Sequence, residues 1–168
     1  MRIALGSDEQ SHVTDFVEQE LRSRGFDVLL FGPLGDKSTS SAWPVVAGEV
    51  AQAVASGNVE EAVLFCWTGT GVSIAANKVP GVRAALCGDA ETARGARAWN
   101  QANVLCLSLR TTTETLAREI LESWFSTTAD PSEDDNVRTV VEMDERLRGA
   151  PSAERAGREK AKGKTIGG

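Results

Sequence analysis

Histidine is almost missing from this 168-residue chain; His12 is the only one. The three cysteines, Cys66, Cys87 and Cys106, include no Cys-x-x-Cys pair. The ligand spacing of a zinc site is therefore absent, and no metal is expected. An odd number of widely spaced cysteines, with no secretion signal ahead of them, fits free thiols in a reducing, cytoplasmic compartment. Long apolar runs are missing too. No stretch approaches the roughly 20 residues of a membrane-spanning helix, so no membrane partner is expected. Met1 to Gly6 begins as a strand-like run, not as the charged and then apolar regions of a signal peptide. Positive charge is in short supply: 18 Lys and Arg stand against 24 Asp and Glu, for a net of -6. That balance argues against nucleic acid as a partner and leaves any anion site to a few arginines and backbone N–H groups. Nucleotide signatures are lacking as well. The Gly69-x-Gly71 loop has no third glycine and follows a third strand, not a first, and no Gly-x-x-x-x-Gly-Lys-Ser/Thr loop occurs. No cofactor is expected.

What is present is an ordinary globular composition, 41% hydrophobic and 25% charged, in a chain of one-domain length. Strand-like and helix-like segments alternate along it. Arg2 to Gly6, Val28 to Phe31, Ala62 to Phe65, Ala84 to Cys87 and Val104 to Leu107 read as buried strands. Helices are expected over about Ser11 to Arg24, from Pro44 onward and over Thr113 to Phe125, each with apolar residues at helical spacing, and a further one over roughly Ala90 to Ala98. Gly32 to Ala42 reads as a loop, and Asp130 to Asp135 as an acidic break before a last helix from Asn136 to about Arg148. This pattern predicts an α/β fold: a doubly wound, mainly parallel, Rossmann-like five-stranded sheet with helices on both faces. Residues 1–149 would form one domain. Residues 150–168, rich in Gly, Ala, Lys, Arg and Glu, read as a disordered tail. With the common strand order 2-1-3-4-5, the ligand crevice lies beyond the carboxyl ends of strands one and three. The polar Gly6–Glu9 loop and the Cys66–Gly71 loop fall there.

Cys66 ends the third strand and enters a loop whose glycines let backbone N–H groups converge, a geometry that binds oxyanions and favours a thiolate. Such a thiolate can move a proton on a carbon beside a carbonyl while the loop holds the developing enediolate oxygen. Cys66 can equally be a small buried apolar residue, the reading that suits Cys87 and Cys106. Asp8 suits either substrate hydroxyls and proton transfer or the capping of the next helix. Asn100 and Arg110, near the last strand, are site candidates or plain surface residues.

The strings Ile3-Ala4-Leu5-Gly6-Ser7-Asp8 and Phe65-Cys66-Trp67-Thr68-Gly69-Thr70-Gly71-Val72-Ser73-Ile74-Ala75-Ala76-Asn77-Lys78 carry a family resemblance, extended by Gly81 to Cys87 and Asn103 to Leu105. Over residues 1–127 the chain resembles the ribose-5-phosphate isomerase B and galactose-6-phosphate isomerase family. Its members are metal-independent aldose–ketose isomerases, usually homodimers with shared active sites. The resemblance implies Cys66 as the proton-transferring base, with Thr68 and Asp8 beside it. It implies Gly69, Thr70 and Gly71 as the enediolate cradle, Asn100 as a substrate contact and Arg110 as a phosphate ligand. The chain departs from the pattern at four places. Glu9 and Trp99 stand where histidines are usual, Trp67 replaces a glycine, and the C-terminal arginine set is reduced to Arg138. Glu9, Trp67, Trp99 and Arg138 thus join the expected substrate-binding set. They point to a sugar or sugar phosphate other than the usual one, such as an open-chain substrate that needs no ring-opening histidine. The alternatives are an ordinary ribose-5-phosphate isomerase and a non-catalytic carbohydrate-binding paralogue.

Overall fold

A computed structural model describes residues 1–35 and 40–149. The tail expected over 150–168 lies outside the described residues. The chain begins with β1 (Arg2–Ser7), α1 (His12–Ser23) and β2 (Asp27–Phe31), followed by a 3-10 turn at Gly32–Leu34 and α2 (Trp43–Ala55). It continues through β3 (Glu61–Cys66), α3 (Thr70–Ala76), β4 (Ala84–Leu86), α4 (Ala90–Asn100) and β5 (Val104–Ser108). Then come α5 (Glu114–Ser126), a 3-10 turn at Pro131–Glu133 and α6 (Asp134–Gly149). No helix among the described residues is long and apolar enough to cross a membrane.

Local chemistry explains the boundaries. Ser11 and Thr14 form a reciprocal capping box that starts α1: the Thr14 N–H donates to Ser11 Oγ at 3.4 Å, and the Ser11 N–H donates to Thr14 Oγ1 at 2.9 Å. Asp89 and Thr113 cap α4 and α5 from one side, each accepting from the backbone N–H of the third residue of its helix. The acidic segment does not simply break the chain. Asp130 caps the 3-10 turn, and Asp134 and Asp135 open α6 two residues earlier than Asn136. Carboxylates there complement the positive end of the helix dipole. The sequence pattern gives no helix at α3, which takes Thr70 and Gly71, the end of the expected Cys66–Gly71 loop, into its first turn.

The five strands are all parallel, in the order β2-β1-β3-β5-β4. The expected order is corrected at its end: β5 inserts between β3 and β4. The reason is burial. Val104 to Leu107 are fully buried, as an interior strand requires, whereas Ala84–Leu86 is a three-residue strand of half-exposed residues suited to an edge. Alternate strand residues feed two cores. Ile3, Leu5, Val63, Phe65, Leu105 and Leu107 pack against α1, α4 and α5 around the buried Trp124. Ala4, Leu64, Cys66, Val104 and Cys106 pack against α2 and α3. At the amino end of β3, Glu61 ties the first core together by accepting from Trp124 Nε1 at 2.7 Å and pairing with Arg97 at 2.7 Å. At the free edge, the Asn77 side-chain amide donates to the Ala84 carbonyl at 2.8 Å and accepts from the Ala84 N–H at 2.9 Å.

Candidate active site

Parallel register puts three loops side by side at the carboxyl end of the sheet. Ser7 pairs with Phe65, so Asp8 and Cys66 are the next residues out on neighbouring strands; Cys66 in turn pairs with Ser108. The β1 loop is held by Ser7, whose Oγ donates to the Glu9 carbonyl at 2.6 Å and accepts from the Glu9 N–H at 3.2 Å. The β3 and β5 loops are stitched together. The Leu109 N–H donates to the Cys66 carbonyl at 3.0 Å, and the Arg110 N–H and Ser108 Oγ donate to the Trp67 carbonyl at 3.1 and 2.9 Å. The corrected strand order is therefore what carries Arg110 to Cys66. In the expected order β4 would have stood between them.

Cys66 is 5% exposed and turned toward the α2/α3 core. Beyond it the chain reverses at Gly69, whose φ is 74°. A Cβ there would meet Leu86 Cδ1 at 2.5 Å and the Leu107 backbone at 3.0 Å, so glycine is required both for the turn and for the close approach. Among the described residues the N–H groups of Thr70, Gly71 and Val72 have no backbone partner, and no side chain caps α3. These donors stay open beside Cys66. Thr68 Oγ1 and Thr70 Oγ1 share a hydrogen bond of 2.6 Å across Gly69. Asp8 has a buried Oδ1 with no partner. Burial, reinforced by the neighbouring Glu9 charge, holds its carboxyl above the usual carboxylate range, although its own backbone N–H opposes the shift. Burial also pushes the other thiols up, Cys87 to about 12 with help from Asp89, and Cys106 further. Both pack inside the cores, Cys87 in the first and Cys106 in the second.

One chain thus brings together Asp8, Glu9, Cys66, Trp67, Thr68, Gly69, Thr70, Gly71 and Arg110. It does not bring Trp99, Asn100 or Arg138 to them. α4 runs antiparallel to the strands, so Trp99 and Asn100 at its end lie near the amino end of the sheet, on the order of 15 Å from Cys66 at about 3.3 Å per strand residue. There the Asn100 carbonyl accepts from Arg83 Nε at 3.2 Å. Trp99 and Asn100 line a groove of about 910 Å³ between β4, α4 and α6, together with Leu86, Val137 and Val140. Arg138 lies exposed on α6, paired with Asp135. One residue at the cluster escaped the sequence reading: Trp43, the first residue of α2, lies against Gly71. Its Trp-Pro pairing signals a helix start and nothing more.

A doubly wound parallel domain with a cysteine, open backbone donors and a carboxyl at its switch point has the architecture of a small-molecule enzyme whose ligand sits at the strand ends. Comparison with known proteins makes the class specific. The Ribose/Galactose Isomerase family profile matches residues 3–142. The chain is 38% identical over 128 residues to ribose-5-phosphate isomerase B of Escherichia coli, covering 74% of this chain and 83% of that protein. It is 35% identical over 132 residues to D-erythrulose-4-phosphate isomerase of Pectobacterium atrosepticum, covering 74% and 82%. The structure of Clostridium thermocellum ribose-5-phosphate isomerase B superposes with a TM-score of 0.80 at 34% identity, covering 88% of this chain and 99% of that one. The chain belongs to the ribose/galactose isomerase family and is an aldose–ketose isomerase.

Proposed function

We propose that this enzyme interconverts the aldose and ketose forms of a short sugar phosphate that exists as an open chain, through an enediolate, with Cys66 as the proton carrier. The observation that carries the reading is the convergence of Cys66, the open N–H groups of Thr70 to Val72, Asp8 and Arg110 at one end of the sheet. The Cys66 thiolate removes the proton from the carbon beside the carbonyl, and the electron pair moves onto the carbonyl oxygen. The open N–H groups of Thr70 to Val72, presented by the Gly69 turn, and Thr68 hold that oxygen's charge. Asp8, with its raised carboxyl, passes the hydroxyl proton between the two oxygens, and Cys66 returns its proton to the adjacent carbon. Arg110 pairs with the phosphate. Glu9 accepts from substrate hydroxyls, and Trp67, 61% exposed, borders the substrate at the mouth of the loop.

Trp99 and Asn100 lie too far from Cys66 in their own chain to share its substrate, so the site as proposed takes them, and Arg138, from a second copy. The protein then works as a homodimer with shared sites. Sedimentation at micromolar concentration should show a dimer, and a monomer would remove those residues from the site. The absence of a ring-opening histidine has a simple chemical counterpart. A four-carbon sugar esterified at its last oxygen cannot close a furanose ring and needs no ring opening. The relative named D-erythrulose-4-phosphate isomerase supports such a substrate. The deciding experiment follows solvent deuterium incorporation and product formation with D-erythrulose 4-phosphate, D-ribose 5-phosphate and D-galactose 6-phosphate. The four-carbon substrate should turn over best and ribose 5-phosphate only weakly. Turnover of ribose 5-phosphate at roughly 1–10³ per second, with none on the four-carbon compound, would restore the ordinary ribose-5-phosphate assignment.

A further inference from the structure

A glycine is needed either for its own backbone or for what lies beside it. Gly69 is the first kind. Gly71 is the second: it sits inside α3 without a left-handed backbone, where glycine weakens a helix by up to about 1 kcal/mol against alanine. A Cβ on Gly71 would stand 3.1, 3.2 and 3.4 Å from Cε3, Cδ2 and Cζ3 of Trp43. The helix therefore gives up a side chain to admit an indole. That indole is not core filling. Trp124 is fully buried, whereas Trp43 is 43% exposed. α2 follows β2 and runs back along the sheet, so Trp43, its first residue, lies at the carboxyl end, next to the Cys66–Gly71 loop. One part of the ring rests on Gly71, and the residue as a whole keeps 43% of its surface open.

We infer that Trp43 is a substrate-contacting wall of the site: its open indole face takes the C–H side of the substrate's carbon chain, and Gly71 is glycine so that the ring can lie flush behind it. Aromatic faces suit this task because a polyol chain presents apolar C–H groups on one side and hydroxyls on the other. The inference rests on the sugar-phosphate reading of the site, and it adds a residue that fixes where the chain lies, separate from the groups that move protons. It also predicts a split between ligands. A contact to carbon matters only to a ligand that has a carbon chain.

Calorimetric titration of the full-length protein with two non-reacting probes, 4-phospho-D-erythronate and inorganic phosphate, tests this directly. Trp43→Ala should weaken the acid phosphate about tenfold, the loss of roughly 1.4 kcal/mol of contact, and leave inorganic phosphate within about twofold. Trp43→Phe, which keeps an aromatic face, should restore most of the difference. Parallel weakening of both probes would mean that the ring only props α3, and unchanged binding of both would mean that it touches nothing; either result overturns the inference. So would a lack of acid-phosphate binding by the unaltered protein. Because the readout is binding, it is independent of turnover. A failure of the isomerase reading would instead show as absence of deuterium exchange with every sugar phosphate offered.

Discussion

Replacing Cys66 by alanine separates chemistry from architecture more cleanly than any other change in this molecule. The side chain is almost wholly buried against the α2/α3 core, so losing its sulfur leaves a small void. A deletion of that size costs about 1 kcal/mol. In a chain of this length the melting temperature should then fall by roughly 2–4 °C. The loop itself is held by backbone: the Cys66 carbonyl accepts from the Leu109 and Gly69 N–H groups, and those bonds survive the substitution. The catalytic loss is of another order. Removal of a general base costs about 10²–10⁴-fold, equivalent to roughly 2.7–5.5 kcal/mol of barrier. The assay is turnover of the best substrate from the sugar-phosphate panel, with proton exchange into deuterated solvent measured alongside. Cys66→Ser should be impaired to a similar degree, because a hydroxyl is far harder to ionise than a thiol. Cys87 and Cys106, buried and with their thiols pushed up, should remain unmodified while alkylation of the native protein abolishes activity. Retention of most activity by Cys66→Ala would refute the mechanism and pass the role to Asp8 or Glu9.

Further outcomes follow from the same geometry. Asp8→Asn should raise the melting temperature at pH 7, because the folded-state carboxyl sits above its unfolded value and stability is lost as pH rises through that interval. The advantage should vanish near about pH 3, where the unfolded carboxyl is protonated as well. An equal difference at both pH values would contradict the assigned burial. Thr70→Val breaks the Thr68–Thr70 hydroxyl pair; turnover should fall about fivefold, in line with roughly 1 kcal/mol for one hydrogen bond, and Thr70→Ser should recover it. Gly69→Ala forces a Cβ onto Leu86 and the Leu107 backbone at positive φ. Its cost should be about 2–4 kcal/mol, read as a drop in melting temperature of roughly 5–15 °C, and a thermally neutral variant would show the turn to be more pliable than its contacts allow.

Strands and long helices were legible because their signals are local. Val28 to Phe31 and Ala62 to Phe65 are continuous apolar runs, and Val13, Val17 and Leu21 mark the buried face of α1 at helical spacing. α3 was not legible. At seven residues, opened by glycine and without a side-chain cap, it carries too little pattern to outvote its loop-like composition. Strand order depends on pairing between distant segments, yet one signal was available. Ala84–Leu86 is short and small-sided beside Val104 to Leu107, which is how an edge strand differs from an interior one. The chemistry of the site showed in Cys66 and its glycines, but its completeness did not. Nothing in sequence spacing says that Trp43 folds down onto Gly71.

The Asn77 amide at the sheet's edge has a consequence for how copies of this protein can meet. By engaging both the N–H and the carbonyl of Ala84, one side chain imitates a neighbouring strand and occupies the place where a sixth would begin. β4 has only three residues, so with Ala84 taken little ladder remains for an incoming chain to grip. The β4 edge is therefore closed to an added strand, and β2 is left as the sheet's other edge. On this side of the sheet any contact with another surface is left to shape and side chains, in the groove flanked by Leu86, Trp99 and Val140.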